Sequence, residues 1–438
     1  MSDSKEKEAP RLEVYPSKSI LIQTDGSHEE FQEGEPTKAA KARLDKIKRW
    51  LEKGYLDTLI QTCRRPDASP PLLNPGDVKL LSALVDSVTS EVGRAVVGLS
   101  VLQLTIKAIC PDQSIRLHKG GGRGESFSWA DGIPMRVIDK YFCTPALRKY
   151  DLIHLNADGV FMTRSLAENY PYSKLYKAAL RGARDEWLEL VDRIEGGQLN
   201  AGAALQHLIR MLFNRSDEFQ KDARACIVAV GKILPKVGDL DDAIGFMKDF
   251  IDASAYSARL FEICLHSLFQ VLDDARAFEG YLNPLSQMRS ANKKHGNIGD
   301  VEILKRPGSL QILEAWDAKY GKPYLREELD ELGEKLLEHP ETELAGFVVD
   351  KEPNLKAEIC RRTKELQDTH SVDIRILGFD EWAHEQVKRV ELSEKKIAVE
   401  WIVAFTESLC QLRRERAPID EPSDIWVQEL REYAIKLR

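Results

Sequence analysis

Asn292–Lys322 reads NKKHGNIGDVEILKRPGSLQILEAWDAKYGK, and its two apolar runs decide what kind of fold the chain takes. Val301 to Leu304 and Leu310 to Trp316 flank a turn containing Pro307-Gly308, which predicts a β-hairpin. Asp300 opens the first strand and Asp317 closes the second. Residues two apart in a strand share a face, so Asp317 and Lys319 project to one side while Ala318 points away, and pairing brings Asp300 beside them. Glu314, the rival for the second carboxylate, lies an odd number of residues from Asp317 and is expected on the opposite side. Two carboxylates and a lysine converging at strand ends suit hydrolysis of a phosphodiester. Paired carboxylates bind Mg²⁺ loosely and leave water on the ion, while a lysine stabilises phosphoryl charge or orients the nucleophile. The plainer reading is a surface ion pair, but such a pair rarely caps a strand as apolar as LQILEAW.

Moving outward, Tyr324 to Glu338 reads as a helix, Leu344 to Val349 as a buried strand, Leu355 to Gln367 as a helix and Val372 to Leu377 as a strand. A helix from about Ala255 to Leu272 precedes this β-β-α-β-α-β series. The motif IGDV…ILEAWDAKYGK with this element order resembles the PD-(D/E)xK nuclease superfamily, over roughly residues 255 to 380. The resemblance implies an α/β (α+β) core with a mixed central sheet flanked by helices. It makes Asp300 and Asp317 metal-binding carboxylates, Lys319 the catalytic lysine, and the backbone carbonyl of Ala318 an additional ligand. Gly299 stands where the family name has proline. The implied cofactor is Mg²⁺, with Mn²⁺ as a substitute. Family members often add a glutamate from the preceding helix. Glu262 is the candidate, although Arg259, Glu262, His266 and Gln270 also read as a solvated polar stripe at helical spacing. Glu302 is a second candidate; Tyr320 and Lys322 flank the site, and His295 suits a DNA-contacting loop.

At 438 residues, with 43% hydrophobic and 31% charged, the chain is expected to be globular and to have more than one domain. Residues 1–38 are acid-rich and predict a mobile tail, 39–250 a mainly helical DNA-recognition region, 251–384 the nuclease core and 385–438 a C-terminal helical segment. In that last segment Val390, Ile397, Trp401, Ile402 and Phe405 serve either a dimer face or packing within the chain. Seven scattered cysteines, without a CxxC pair, argue against a disulfide scaffold or zinc ribbon and for a reducing cytoplasm. Ala95 to Ile109, broken by Gln103 and Lys107, falls short of the roughly 20 residues of a membrane span and predicts a buried helix. MSDSKEKEAP lacks a secretory apolar stretch.

The formal net charge is −8, yet residues 113–184 hold twelve Lys and Arg against six Asp and Glu, interleaved with five tyrosines. Asp158-Gly159 predicts a hairpin between helices, a winged-helix-like arrangement. Phosphate attraction makes Lys119, Arg123, Arg136, Lys140, Arg148, Lys149 and Arg164 candidate DNA contacts, with Lys293, Lys294 and Lys322 near the hairpin. A basic face packed on an acidic neighbour is the plainer reading. HKGGGRGES is glycine-rich and basic but lacks the ending of a phosphate-binding Walker loop.

No Walker motif accompanies the core, so an ATP-driven translocase is not expected. The arrangement of a basic module before a cutting core is similar to a type II restriction endonuclease. That resemblance implies cleavage of double-stranded DNA at a short sequence by a homodimer, beside a cognate DNA methyltransferase and without a membrane. A structure-specific repair or phage-defence nuclease, a non-catalytic helical DNA-binding protein and a protein-interaction scaffold are the alternatives.

Overall fold

The computed structural model describes residues 9–65, 67, 69, 71–89, 91–121, 127–180, 182–285, 297–413 and 421–438. The chain divides into two compact units, Met1–Glu218 and Phe219–Arg438. The division falls inside the helix Ala201–Gly231, ahead of the boundary at residue 250 expected from the sequence.

The first unit opens with an antiparallel sheet of β1 (Arg11–Tyr15), β2 (Lys18–Ile22) and β3 (His28–Gln32). Residues 1–8 of the expected mobile tail lie outside the described residues, and from Arg11 to Gln32 the tail forms this sheet. Glu13 and Glu30 face outward, Glu29 pairs with Arg116 at the edge of the inner face, and Leu21 and Phe31 turn inward onto Leu117 and Trp129. Period-two alternation within a short acidic stretch hides such a strand among polar residues. Helices then follow as expected, the first (Lys38–Glu52) capped by Thr37, whose hydroxyl accepts from the Ala40 amide. Glu91–Ile109 is the core helix of this unit: Val92–Ile109 is apolar and long enough to cross a membrane, and 78% of it is buried inside the fold.

Residues 113–184 do not form the expected hairpin. Among their described residues the only β pairing is a bridge between Trp129 and Glu33. Asp158-Gly159 does turn the chain, with Gly159 at φ 93°. The chain then coils into the 3₁₀ turns Val160–Met162 and Arg164–Leu166. The reason is local: the Val160 amide donates to the buried Asp139 carboxylate at 2.7 Å instead of to a strand partner. A side chain at Gly159 would strike that carboxylate, so the turn is tied to it.

The second unit is built on five strands in the order β4 (Tyr281–Leu282), β5 (Val301–Leu304), β6 (Ile312–Lys319), β7 (Leu344–Val349) and β8 (Asp373–Gly378). β4–β5 and β5–β6 pair antiparallel, β6–β7 and β7–β8 parallel, giving a mixed sheet. The two parallel connections run through the helices Arg326–Leu336 and Ala357–His370, within a few residues of expectation. These cover one face, where Leu304, Ala315, Phe347 and Ile374 join Leu329 and Leu366 in one core. Val301, Trp316, Val348 and Leu377 face the other side, packed with Ser257–Asp274 and Glu394–Leu409. Ile397, Trp401, Ile402 and Phe405 are spent on that packing, so intrachain burial accounts for the amphipathic C-terminal pattern.

Candidate active site

Strand β6 runs three residues further than its apolar stretch and carries Asp317 and Lys319 as part of the sheet. Trp316 pairs with Val301 of β5 on one side and with Gly346 of β7 on the other. The indole leaves no room for a side chain at position 346, where an added Cβ would lie 2.3 Å from Trp316. Gly299 has a similar role at the entry to β5. A Cβ there would meet the Trp316 carbonyl oxygen at 2.6 Å, so the departure from proline noted in the sequence is enforced by backbone against backbone. This close approach lets the Asp300 amide donate to the Trp316 carbonyl at 2.9 Å. The Asp300 carboxylate then accepts from the Ala318 amide at 3.0 Å.

Asp300 and Asp317 are thereby brought together, and Lys319 joins them with Nζ 2.7 Å from Asp317 Oδ2. Burial, then the charges of Glu262 and Asp317, then a hydrogen bond with Asp317 push the Asp300 carboxyl well above the usual carboxylate range. Burial works to lower Lys319, but the neighbouring Asp317 outweighs it and holds the ammonium charged above its ordinary value. Asp317 opens onto a small cleft whose walls include Gly299, Glu328, Lys335 and Phe347. Lys319 lies over the Phe347 ring, 6.0 Å from its centroid.

The other candidates separate. Glu314 takes hydrogen bonds from the Trp316 indole and from Arg389, each at 2.7 Å, away from Asp317 as the strand parity required. Glu302 is buried and saturated: Asn283 and Asn297 donate to one oxygen at 2.9 and 3.0 Å, and the Ile298 and Gly299 amides to the other at 2.7 and 3.3 Å. It shapes the chain leading into Asp300 and has no lone pair directed at an ion. Tyr320 and Ala318 turn to the opposite face from Asp317, where Tyr320 meets Phe261 and donates to Asp252 at 2.6 Å. Lys322 is exposed, 3.3 Å from Glu328.

Glu262 belongs to that opposite layer, on Ser257–Asp274. The stripe it shares is not solvated, because Arg259, His266 and Gln270 are all buried. Arg259 grips Glu262 through Nη1 and Glu421 through Nε and Nη2, the latter at 2.9 and 2.8 Å. Burial raises the Glu262 carboxyl, with Arg259 opposing it. Arg259, Glu421 and Glu328 were not legible as site residues. Only the i, i+3 spacing of Arg259 and Glu262 hinted at a pair.

Among the described residues, no group of three or more His, Cys, Asp or Glu side chains stands ready-made as a metal's ligand set. The donor chemistry nevertheless fits a hard divalent cation. Two buried carboxylates meet with Lys319 beside Asp317, and a third acts on them electrostatically, so the site holds more carboxylate than cation among these four groups.

Of the candidate DNA contacts, Arg123, Lys293, Lys294 and the nearby His295 lie outside the described residues. Arg136, Lys140, Lys149 and Arg164 are exposed. Arg148 donates to the Leu155 carbonyl, and Lys119 binds Asn169. Part of the charge excess is cancelled from within the unit: Lys149 pairs with Asp57, Lys140 with Asp158, and Arg116 with Glu29 and Asp192. Tyr172 and Tyr176 are core residues, leaving Tyr141 widely exposed.

Compared with known proteins, the chain matches no family model and no curated protein.

Proposed function

We propose that this chain is a Mg²⁺-dependent DNA endonuclease of the PD-(D/E)xK type, with sequence-specific type II restriction of double-stranded DNA as its activity. The observation that carries this reading is the convergence of Asp300, Asp317 and Lys319 at the carboxyl end of β6 in a mixed sheet. The Ala318 amide fixes Asp300, and Lys319 lies 2.7 Å from Asp317. In open sheets with parallel strands, ligands gather at such strand ends.

Asp300 and Asp317 would hold the ion, with Mn²⁺ able to replace Mg²⁺, and the Ala318 carbonyl is the nearby backbone donor. A bound divalent ion acidifies its water and neutralises phosphoryl charge. Lys319 then places a cation where charge develops on the phosphate, held in register by Asp317 and by its position over Phe347. The exposed Arg136 and Arg164 supply sequence-independent attraction to the phosphodiester backbone, and Lys140, Lys149 and Lys322 add to it on exchanging their carboxylate partners for phosphate. One such centre cuts one strand, so the reading implies a homodimer on a symmetric site, with a protective methyltransferase as the functional partner.

The test incubates a long DNA of known sequence with protein and Mg²⁺, beside Asp317→Ala and a chelator control, and maps the ends. Discrete fragments lost in both controls support the reading. Smearing lost in both moves the protein to the structure-specific or defence nucleases. Absence of cutting, or cutting by Asp317→Ala equal to wild type, overturns the catalytic assignment.

A further inference from the structure

Much of the positive charge within residues 113–184 is neutralised inside the first unit, where Lys140, Lys149 and Arg116 all have carboxylate partners. The helix Lys38–Glu52 differs. KAAKARLDKIKRWLE and the capping Lys53 hold seven Lys and Arg against Asp45 and Glu52, in a chain of formal net charge −8. Its apolar positions Ala40, Ile47 and Leu51 are buried, Ile47 and Leu51 in the core of the unit, which turns the opposite face to solvent. Arg43, at the margin, is held by Gln113 and Asp131 at 2.8 and 3.2 Å. Among the described residues, the side chains of Lys38, Lys41, Lys46, Lys48 and Lys53 have no ion pair or hydrogen bond, and that of Arg49 donates only to the Asp45 carbonyl one turn back, at 3.2 Å. At 3.6 residues per turn the exposed Lys38, Lys46, Arg49 and Lys53 fall within an arc of about 80°. Asp45 and Glu52 border that arc on one side and Trp50 on the other. The Trp50 indole is 51% exposed and stands edge-on to the Tyr55 ring, with centroids 6.1 Å apart.

We propose that this face of Lys38–Glu52 is the main DNA-docking surface of the first unit, with Lys38, Lys46, Arg49 and Lys53 against phosphates and Trp50 packed on the strand they hold. The proposal rests on the DNA reading above and deepens it, moving the principal contact away from residues 113–184. A lysine already paired with a carboxylate must exchange that partner for phosphate, whereas these four cations bind without such an exchange. The helix is 15 residues long, about 22 Å, and duplex DNA carries about 13 phosphate charges over that length. A row of cations pinned by its buried face therefore meets opposite charge along its whole extent. Aromatic side chains beside such a row pack on nucleotides without regard to sequence. An anionic membrane also offers charge, but the apolar face that a surface helix inserts into lipid is here buried inside the protein.

The test measures binding of a short fluorescent DNA duplex to the full-length protein by anisotropy, in EDTA so that cleavage plays no part, over a series of NaCl concentrations. Lys38→Gln, Lys46→Gln, Arg49→Gln and Lys53→Gln combined are expected to lower the slope of log affinity against log salt by about 3–4. Binding in about 0.1 M salt is expected to weaken on the order of 100-fold or more. Arg136→Gln with Arg164→Gln is expected to lose less. Should the quadruple variant fail to fold by circular dichroism, Asp45→Asn with Glu52→Gln decides, since removing the acids that border the row is expected to tighten binding about 3–10-fold. The other six tryptophans are at most 1% exposed, so acrylamide quenching of tryptophan fluorescence reports on Trp50 and is expected to fall when DNA binds. A wild-type slope in the folded quadruple variant, an equal or larger loss from the Arg136 and Arg164 pair, no tightening in the acid-free variant, or undiminished quenching in the saturated complex overturns the proposal. Binding through this face without cleavage in Mg²⁺ upholds the proposal and removes the nuclease reading. Absence of DNA binding by wild type at low salt overturns both, and binding to phosphatidylcholine–phosphatidylserine vesicles in its place assigns the face to a membrane surface.

Discussion

Asp300 and Ala318, eighteen positions apart, are joined by a 3.0 Å hydrogen bond from the Ala318 amide to Asp300 Oδ2. That bond fixes a carboxylate outside any strand to the residue between Asp317 and Lys319. The site is therefore a property of backbone registration between β5 and β6, with two like charges held together by the fold.

Holding them together costs stability. Because the Asp300 carboxyl is raised above its unfolded value by burial and by Glu262 and Asp317, its ionised form at neutral pH is disfavoured in the folded state. Asp300→Asn keeps an oxygen for the Ala318 amide and removes one charge. Its melting temperature at pH 7.5 is expected to rise, by the equivalent of about 1 kcal/mol. The DNA cleavage proposed for this site is expected to fall on the order of 100-fold or more. A thermal melt beside a cleavage assay checks both; a variant that is less stable than wild type contradicts the charge argument.

Gly299 is required by the Trp316 carbonyl rather than by its own conformation. Gly299→Ala places a Cβ 2.6 Å from that oxygen, so β5 and β6 must separate locally. The expected loss is about 1–3 kcal/mol in urea unfolding, typical of overpacking. Activity should fall with it, since the shift moves Asp300 away from Ala318. Wild-type stability in the alanine variant would mean that the strand entry relaxes freely.

In the first unit, two buried groups titrate in opposite senses. His118 is sandwiched between Phe161 and Tyr172, at centroid distances of 5.7 and 4.9 Å. Burial, with Lys119 assisting, depresses its pKa to about 3. Between an unfolded value near ~6.5 and about 3, the unfolded chain binds a proton that the folded chain refuses, so stability falls with acidification by about 1.4 kcal/mol per pH unit. Asp139 is raised by burial to about 6 and behaves inversely. From an unfolded value near ~3.9 up to that pH the folded state holds the extra proton, so stability rises as pH falls through the window. His118→Phe keeps the stack and removes the first effect. Its advantage over wild type is expected to appear below about pH 6.5 and to grow towards pH 4, as followed by urea unfolding at a series of pH values. A constant difference across that range would refute the assignment.

The N-terminal sheet is anchored through Arg116, which lies 2.6 Å from Asp192 and 3.1 Å from Glu29 and donates to the Tyr172 carbonyl at 2.7 Å. Arg116→Met leaves partly buried carboxylates without their cation, an expected loss of about 3–5 kcal/mol. Limited proteolysis should then cut between residues 9 and 37 sooner than in wild type. Equal protection would show that Leu21 and Phe31 hold the sheet by apolar contact alone.

The order of elements from Ser257 to Gly378 was readable because each apolar run is long and bounded by turn residues, and the parity of Glu314, Asp317 and Lys319 followed from the period of a strand. That reading correctly separated Glu314 from Asp317. It failed where contacts distant in sequence decide. The strands within residues 9–37 depend on Trp129 and Leu117, and the missing hairpin after Gly159 depends on Asp139. For the polar stripe on Ser257–Asp274 the sequence leaves a metal-directed Glu262 and a solvated face both open, because spacing reveals a shared face but not what covers it.

Local sequence thus determined the strands, the helices joining them, and which side chains share a face, because these follow from backbone periodicity and turn chemistry. Only the tertiary structure decided that Asp300 meets Ala318, that Glu302 spends its oxygens on the approach to β5, and that Glu421 reaches Glu262 through Arg259. Those relations are settled by which charges the fold encloses together, and the balance of enclosed charge depends on the packing of whole elements, a quantity no short stretch of sequence contains.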